Sequence, residues 1–259
     1  MSTLKSALYL PGEISSEEWL GAIRHKIMLN GNTAWVVEPA EPLPGKKWFW
    51  LPEWPDAFPE RNGVKQLLEL GYHMIYINVY GKFANEEALE IMKGFYNYLT
   101  GLGFAKKGAF IGMSLGGLYS FRYAQKFPET VACIYADAPV CDLSYREFTK
   151  RADAEAICRA YETTPEGLVD HPLSPVNNFR AIVEAGIPLL LIMGLADTVL
   201  PPERNGLLLA ERWKKAGGEI ELVTRASWGH HPHGLDNPMK IVRFVLLHTM
   251  NKTWTQPDA

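Results

Sequence analysis

The sequence predicts an α/β protein with a mainly parallel central sheet and helices on both of its faces. Two observations lead to this prediction. Short apolar segments of strand length alternate along the chain with longer segments whose apolar residues recur at helical spacing. The 259 residues suffice for one large α/β domain, and they contain no repeat, low-complexity segment or linker. We therefore expect a single domain over residues 1–259.

The predicted elements begin with an antiparallel hairpin, because Asn30-Gly31 separates two apolar runs. Asn85 is expected to cap a helix that has two acids in its first turn. In chain order we predict strands at residues 24–29, 33–38, 47–51, 73–79, 107–111, 131–137, 188–193 and 219–223, and helices at residues 63–70, 86–99, 117–126, 202–217 and 238–250.

Residues 142–184 are a polar, helical-looking insertion without a strand pattern. The insertion connects two neighbouring predicted strands, so it should emerge at the carboxyl edge of the sheet. We predict that it forms a cap over the functional site. Tyr145, Phe148, Tyr161 and Leu168 would supply the apolar face of this cap.

Composition excludes several functional classes. The formal net charge is −3 without a basic cluster, so we expect no nucleic-acid partner. The apolar runs are too short to span a bilayer, and the first residues lack the apolar core of a signal peptide, so we expect no membrane partner. The three cysteines fit no zinc or redox spacing and indicate a cytoplasmic protein, unless a leader has been removed. The oligomeric state stays open.

The segment Gly112-Met113-Ser114-Leu115-Gly116 fits the pattern G-x-S-x-G. On its own this pattern is weak, since Gly and Ser are common in turns. Here it lies between an apolar strand candidate and a helix that ends before Pro128. Strand, sharp turn and helix together are typical of a nucleophile elbow, in which small flanking residues make room for a strained serine. The sequence therefore predicts Ser114 as a nucleophile.

A nucleophilic serine needs a base, and the base needs an orienting acid. Asp197 is the acid candidate, because it lies in a Gly- and Pro-bounded loop just after a predicted strand, where α/β sites form. Its alternative role is to cap the helix that follows. Asp137 and Asp142 are the fallback acids.

The base candidates are His230, His231 and His233, which follow the last predicted strand. Such a cluster is also compatible with a metal site. However, neither an acidic ligand nor an H-E-x-x-H spacing accompanies it, so we expect no metal.

The order Ser114, then Asp197, then a histidine is the order of the α/β-hydrolase fold. Over residues 24–250 the chain resembles that superfamily. Residues 112–118, 135–142 and 229–233 more narrowly resemble bacterial serine esterases that act on acylated or methyl-esterified carbohydrates. The resemblance implies His230 as the base, since a Gly-His step is the usual base position in this fold.

The superfamily also implies an oxyanion hole. One donor should be the backbone N–H of Leu115. The second should come from the loop after Trp50, where this chain has Leu-Pro-Glu-Trp instead of the His-Gly-Gly-Gly of many lipases. Pro52 has no N–H, so the backbone of Glu53 is the candidate. Trp48 and Trp50 share a strand face and should pack in the core, whereas Trp54 either packs there too or lines the substrate pocket.

These features predict a serine hydrolase that cleaves carboxylic esters through an acyl-enzyme without a cofactor or metal. By resemblance, its substrate would be a small-molecule or oligosaccharide ester, and the enzyme a carbohydrate deacetylase or methylesterase. One alternative is a serine peptidase of the same fold, which would usually need a peptide-anchoring charge that we do not identify. The other is a non-catalytic binding module, which the complete Ser, Asp and His set argues against.

Overall fold

A computed structural model of the protein describes residues 6–146 and 151–250. Within these ranges nine strands form one sheet. The strands are β1 (Glu13–Trp19), β2 (Ala22–Leu29), β3 (Asn32–Glu38), β4 (Trp48–Trp50), β5 (His73–Ile77), β6 (Gly108–Met113), β7 (Val131–Asp137), β8 (Leu189–Gly194) and β9 (Ile220–Arg225).

Eight α-helices accompany the strands in the described part of the chain. They are α1 (Val64–Glu69), α2 (Glu86–Gly101), α3 (Leu115–Lys126), α4 (Arg151–Ala160), α5 (Pro165–Leu168), α6 (Arg180–Glu184), α7 (Gly206–Lys215) and α8 (Met239–Thr249). No helix in the described ranges combines the length and the apolar character that crossing a bilayer requires.

The strand order in the sheet is β1-β2-β3-β5-β4-β6-β7-β8-β9. The pairs β1/β2, β2/β3 and β3/β5 are antiparallel, and every pair from β5 to β9 is parallel. The sheet is therefore mainly parallel, as predicted. The carboxyl ends of β6, β7 and β8 meet at one edge, which brings together loops that are far apart in sequence.

Two apolar cores cover the two faces of the sheet. Along β8, Leu189 and Leu191 belong to the core that also contains residues of α2, α3 and α7. Leu190 and Ile192 face the opposite core, which contains residues of α1 and α8. A strand buried on both faces is a continuous apolar run rather than an alternating one, and this explains the composition of β8.

One strand and the start of one helix differ most from the sequence prediction. Strand β1 was not predicted, because six of its seven residues are exposed and polar residues dominate it, so it lacks apolar periodicity. The helix predicted to open at Pro202 instead begins at Gly206. The preceding turn is held by Asn205, whose side-chain oxygen accepts hydrogen bonds from the backbone N–H groups of Cys141 and Asp142. That tertiary contact has no local sequence pattern.

Candidate active site

Ser114 stands in the sharp turn between β6 and α3. Its backbone has a φ of 48° and a ψ of −116°, a strained conformation for a residue with a side chain. A Cβ on Gly112 would lie 2.6 Å from Ser120 Oγ and 2.7 Å from Gly116 O, so this position requires glycine. A Cβ on Gly116 would meet only ordinary contacts, whereas one on Gly117 would overlap Pro139. The room expected from Gly112 and Gly116 thus comes mainly from Gly112 and Gly117.

The structure brings Ser114, His230 and Asp197 into one hydrogen-bonded chain. His230 Nε2 lies 3.1 Å from Ser114 Oγ, and His230 Nδ1 lies 2.8 Å from Asp197 Oδ2. The other oxygen of Asp197 accepts hydrogen bonds from the N–H groups of Val199 and Leu200, at 2.8 and 2.9 Å. Burial alone would raise the pKa of Asp197, but the hydrogen bond from His230 and these backbone donors outweigh it and lower that pKa. The carboxylate is thus ionised and fixed towards the imidazole.

The loop that carries His230 passes directly over the end of β8. A Cβ on Gly194, the last residue of β8, would overlap the carbonyl oxygen of Trp228. The N–H of Ala196 donates to that same oxygen, at 3.0 Å. Gly194 therefore lets the acid-bearing and base-bearing loops touch, a requirement that the sequence alone did not reveal.

A second buried acid–imidazole pair lies beside the first. His233 Nδ1 is 3.0 Å from Asp137 Oδ1, and Asp137 is completely buried at the end of β7. Its other oxygen accepts hydrogen bonds from Tyr135 Oη and from the N–H of Gly234. Sequence reasoning missed this pair, although the position of Asp137 next to the elbow strand was a usable indication. Asp137 thus serves His233, while Asp197 holds His230.

The remaining alternatives also have other partners. Asp142 accepts hydrogen bonds from Ser144 Oγ and Arg204, both at 2.7 Å. His231 is exposed and stacks on Phe58, with ring centroids 6.0 Å apart. Neither residue takes the place of Asp197 or His230 in the chain to Ser114.

The loop after β4 lies against the elbow. Glu53 N and Cβ are 3.6 and 3.5 Å from the position that a Cβ of Gly116 would occupy. The Glu53 side chain is 2% exposed, and its Oε1 has no hydrogen-bond partner among the described residues. This burial raises the pKa of Glu53 to about 7. The backbone of Glu53 thus lies against Gly116 in the elbow. The role of the Leu115 and Glu53 N–H groups as oxyanion donors stays a prediction.

Ser114 opens onto a cavity of about 370 Å³. Trp54, 41% exposed, stands at its rim, and its ring packs edge-on against that of Tyr80. Trp48 and Trp50 are buried in the core, as expected. A larger hollow of about 630 Å³ lies between β9 and α8, away from these side chains. The residues lining the cavity at Ser114 are Trp54, Ala57, Phe58, Met113, Ser114, Val199, His230, His231 and His233.

The described part of residues 142–184 does not line this cavity. It contacts the loop after β5, where Tyr161 Oη donates to the carbonyl oxygen of Phe83 at 2.8 Å. Tyr145 and Phe148, predicted for the apolar face of the cap, have side chains outside the described part of the structure. The cap role of this segment stays a prediction.

Comparison with known proteins identifies relatives of this chain. The sequence profile of the prolyl oligopeptidase family matches residues 64–246. Acylamino-acid-releasing enzyme 2 from Oryza sativa subsp. japonica is 29% identical over 182 residues, which are 61% of this chain and 23% of that protein. The fold resembles that of Pyrococcus horikoshii acylaminoacyl peptidase, with a TM-score of 0.64, 16% identity and coverage of 88% of this chain and 41% of the other. A Mycobacterium tuberculosis puromycin-hydrolyzing peptidase gives a TM-score of 0.65 at 17% identity, with coverage of 88% and 40%.

These likenesses confirm the predicted α/β-hydrolase fold. The chain spans less than half the length of the three relatives named above. The comparisons do not support the narrower resemblance to carbohydrate esterases, because two of these relatives are named peptidases and the third an acylamino-acid-releasing enzyme.

Proposed function

The chain belongs to the prolyl oligopeptidase family and is a serine hydrolase; we propose that it is a peptidase that cleaves peptide bonds through an acyl-enzyme. The observation that carries this proposal is the chain of contacts from Asp197 through His230 to Ser114, at 2.8 and 3.1 Å. The peptidases among its relatives favour an amide bond over the ester bond that the sequence suggested.

In the proposed mechanism, Ser114 Oγ attacks the carbonyl carbon while His230 Nε2 takes the hydroxyl proton. Asp197 stabilises the imidazolium that forms and keeps its Nδ1 proton in place. The N–H groups of Leu115 and Glu53 hold the oxyanion. His230 then gives its proton to the leaving nitrogen, which departs as a neutral amine. Water, deprotonated by His230, releases the acid and restores Ser114.

The cavity indicates which group the enzyme accepts. Its lining is aromatic and apolar apart from Ser114 and the imidazoles, and contains neither a carboxylate nor a Lys or Arg side chain among the described residues. A free peptide amino terminus would find no counter-charge there. We therefore propose that the substrate is a short peptide with a blocked amino terminus and an apolar or aromatic residue before the cleaved bond.

An esterase for acylated or methyl-esterified carbohydrates is the second candidate. The observation that favours it is the half-exposed ring of Trp54 beside Tyr80 at the cavity rim, a surface suited to stacking on a sugar ring. The hydrogen-bonded triad contacts argue against a binding module without activity.

A panel of chromogenic substrates separates these proposals. We expect turnover of N-acetyl-phenylalanine p-nitroanilide, slower turnover of the same anilide with a free amine, and none by Ser114→Ala. Hydrolysis of p-nitrophenyl acetate together with acetylated or methyl-esterified sugars, but of no anilide or peptide, would overturn the peptidase proposal in favour of the second candidate. A folded protein inert towards every substrate would overturn both.

A further inference from the structure

Three imidazoles line the cavity at Ser114, and the proposed mechanism uses only one of them. One ring nitrogen each of His230, His231 and His233 lies within 4.8 Å of those of the other two. The three ring centroids are 4.8 to 4.9 Å apart, and each pair of planes is nearly perpendicular. Around a tetrahedral zinc ion with Zn–N bonds of about 2.0–2.1 Å, the nitrogens would be about 3.4 Å apart. From within 4.8 Å, each pair of nitrogens would have to approach by up to about 1.4 Å to reach that spacing.

Two of the rings already have the outer contacts of metal ligands. A ligating histidine usually gives its other ring N–H to a carboxylate, which fixes the tautomer and the ring orientation. Asp197 accepts from Nδ1 of His230, and buried Asp137 is paired with Nδ1 of His233. In both rings this leaves Nε2 as the nitrogen that does not face a carboxylate.

We propose that His230, His231 and His233 bind a divalent transition-metal ion and that the bound ion reversibly inhibits hydrolysis. A set of imidazole nitrogens suits Zn²⁺, Cu²⁺ and Ni²⁺, whereas Mg²⁺ and Ca²⁺ prefer oxygen ligands. The cavity of about 370 Å³ has room for the ion and a water molecule in the fourth position.

Inhibition follows from competition for one lone pair. His230 Nε2, 3.1 Å from Ser114 Oγ, is the atom that takes the serine proton in the proposed mechanism. When this lone pair is bound to a metal ion, it cannot accept that proton, and Ser114 stays a weak nucleophile. The proposed mechanism of hydrolysis uses no metal, so removal of the ion should restore the free base.

The first experiment titrates zinc chloride against turnover of N-acetyl-phenylalanine p-nitroanilide or p-nitrophenyl acetate. We expect inhibition that EDTA reverses. The ligand variant is His231→Asn, because His231 is exposed and outside the Ser114–His230–Asp197 chain. The matched control is His248→Asn on α8. Each variant is compared with its own zinc-free rate. In His231→Asn the zinc concentration that halves the activity should rise at least about 10–100-fold. Mutation of a residue that only holds a metal ligand in place already weakens metal binding by about this factor, and His231 would be a ligand itself.

The second experiment measures zinc binding to Ser114→Ala by titration calorimetry. It needs no turnover, so its result stands even if the proposed function fails. We expect one saturable zinc site that His231→Asn weakens and His248→Asn leaves unchanged, and no comparable site for Mg²⁺. Absence of zinc binding at millimolar concentration would overturn the proposal. Equal zinc binding or equal inhibition with and without His231 would overturn it as well.

Discussion

Replacing Glu53 by Gln should remove a pH-dependent loss of stability. Glu53 is 2% exposed, its Oε1 is buried without a hydrogen-bond partner in the described structure, and its pKa is raised from 4.5 to about 7 by burial. Between these two pH values the unfolded chain has released the Glu53 proton while the folded protein still holds it. The free energy of unfolding therefore falls as the pH rises from 4.5 towards 7, and the full loss is present above that range.

The magnitude follows from the two pKa values. Their difference corresponds to about 3 kcal/mol, at about 1.36 kcal/mol for each pKa unit. For a chain of this size, 1 kcal/mol shifts the midpoint of thermal unfolding by about 2–4 °C. The thermal-unfolding midpoint of Glu53→Gln minus that of wild type should thus be higher by roughly 6–12 °C at alkaline pH than at acid pH. Burying the glutamine amide of the variant also costs free energy, but this cost is the same at every pH. It therefore cancels when the variant and wild type are compared at two pH values.

The assay is thermal unfolding of wild type and Glu53→Gln from below pH 4.5 to well above pH 7. Urea unfolding at both ends of the range gives the free energies directly. The control is Glu60→Gln, an exposed glutamate on the same loop, which should leave the pH dependence unchanged. If Glu53→Gln changed the unfolding midpoint by the same amount at both ends of the pH range, the argument would be refuted. Such a result would mean that the Glu53 carboxylate is solvated or paired in the folded protein.

Further changes test the site itself. Ser114→Ala should abolish hydrolysis in a folded protein, and residual turnover near wild type would mean that the nucleophile lies elsewhere. Asp197→Asn should lower kcat by roughly 10⁴-fold, as in the chymotrypsin triad, because the amide favours the wrong imidazole tautomer; a tenfold loss or less would contradict this role. Activity should persist in excess EDTA, and loss of activity that a divalent ion restores would contradict the metal-free mechanism. Trimming residues 142–184 should alter the ranking of substrates more than the rate on p-nitrophenyl acetate, and so should Trp54→Ala. An unchanged ranking in either variant would exclude the residues changed in it from substrate recognition.

The sequence predicted well whatever depends on residues close together in the chain. The continuous apolar run of β8 reflects burial on both faces of the strand, and the helical spacing of apolar residues in α2 reflects burial of one face. Both patterns are visible along the chain itself. The elbow at Ser114 was predictable for the same reason, because strand, turn and helix are contiguous. By contrast, β1 was missed because it pairs with β2 through backbone hydrogen bonds while its side chains stay exposed.

Only the tertiary structure decided which side chains meet at the edge of the sheet. Three histidines and three acids were candidates by sequence. The end of β7 and the loops after β8 and β9 meet in space and pair Asp197 with His230 and Asp137 with His233. The need for glycine at position 194 and the burial of Glu53 likewise arise from contacts with segments distant in the chain. The local sequence pattern does not predict such contacts, because each depends on how two segments that are distant in the chain approach each other in the folded protein.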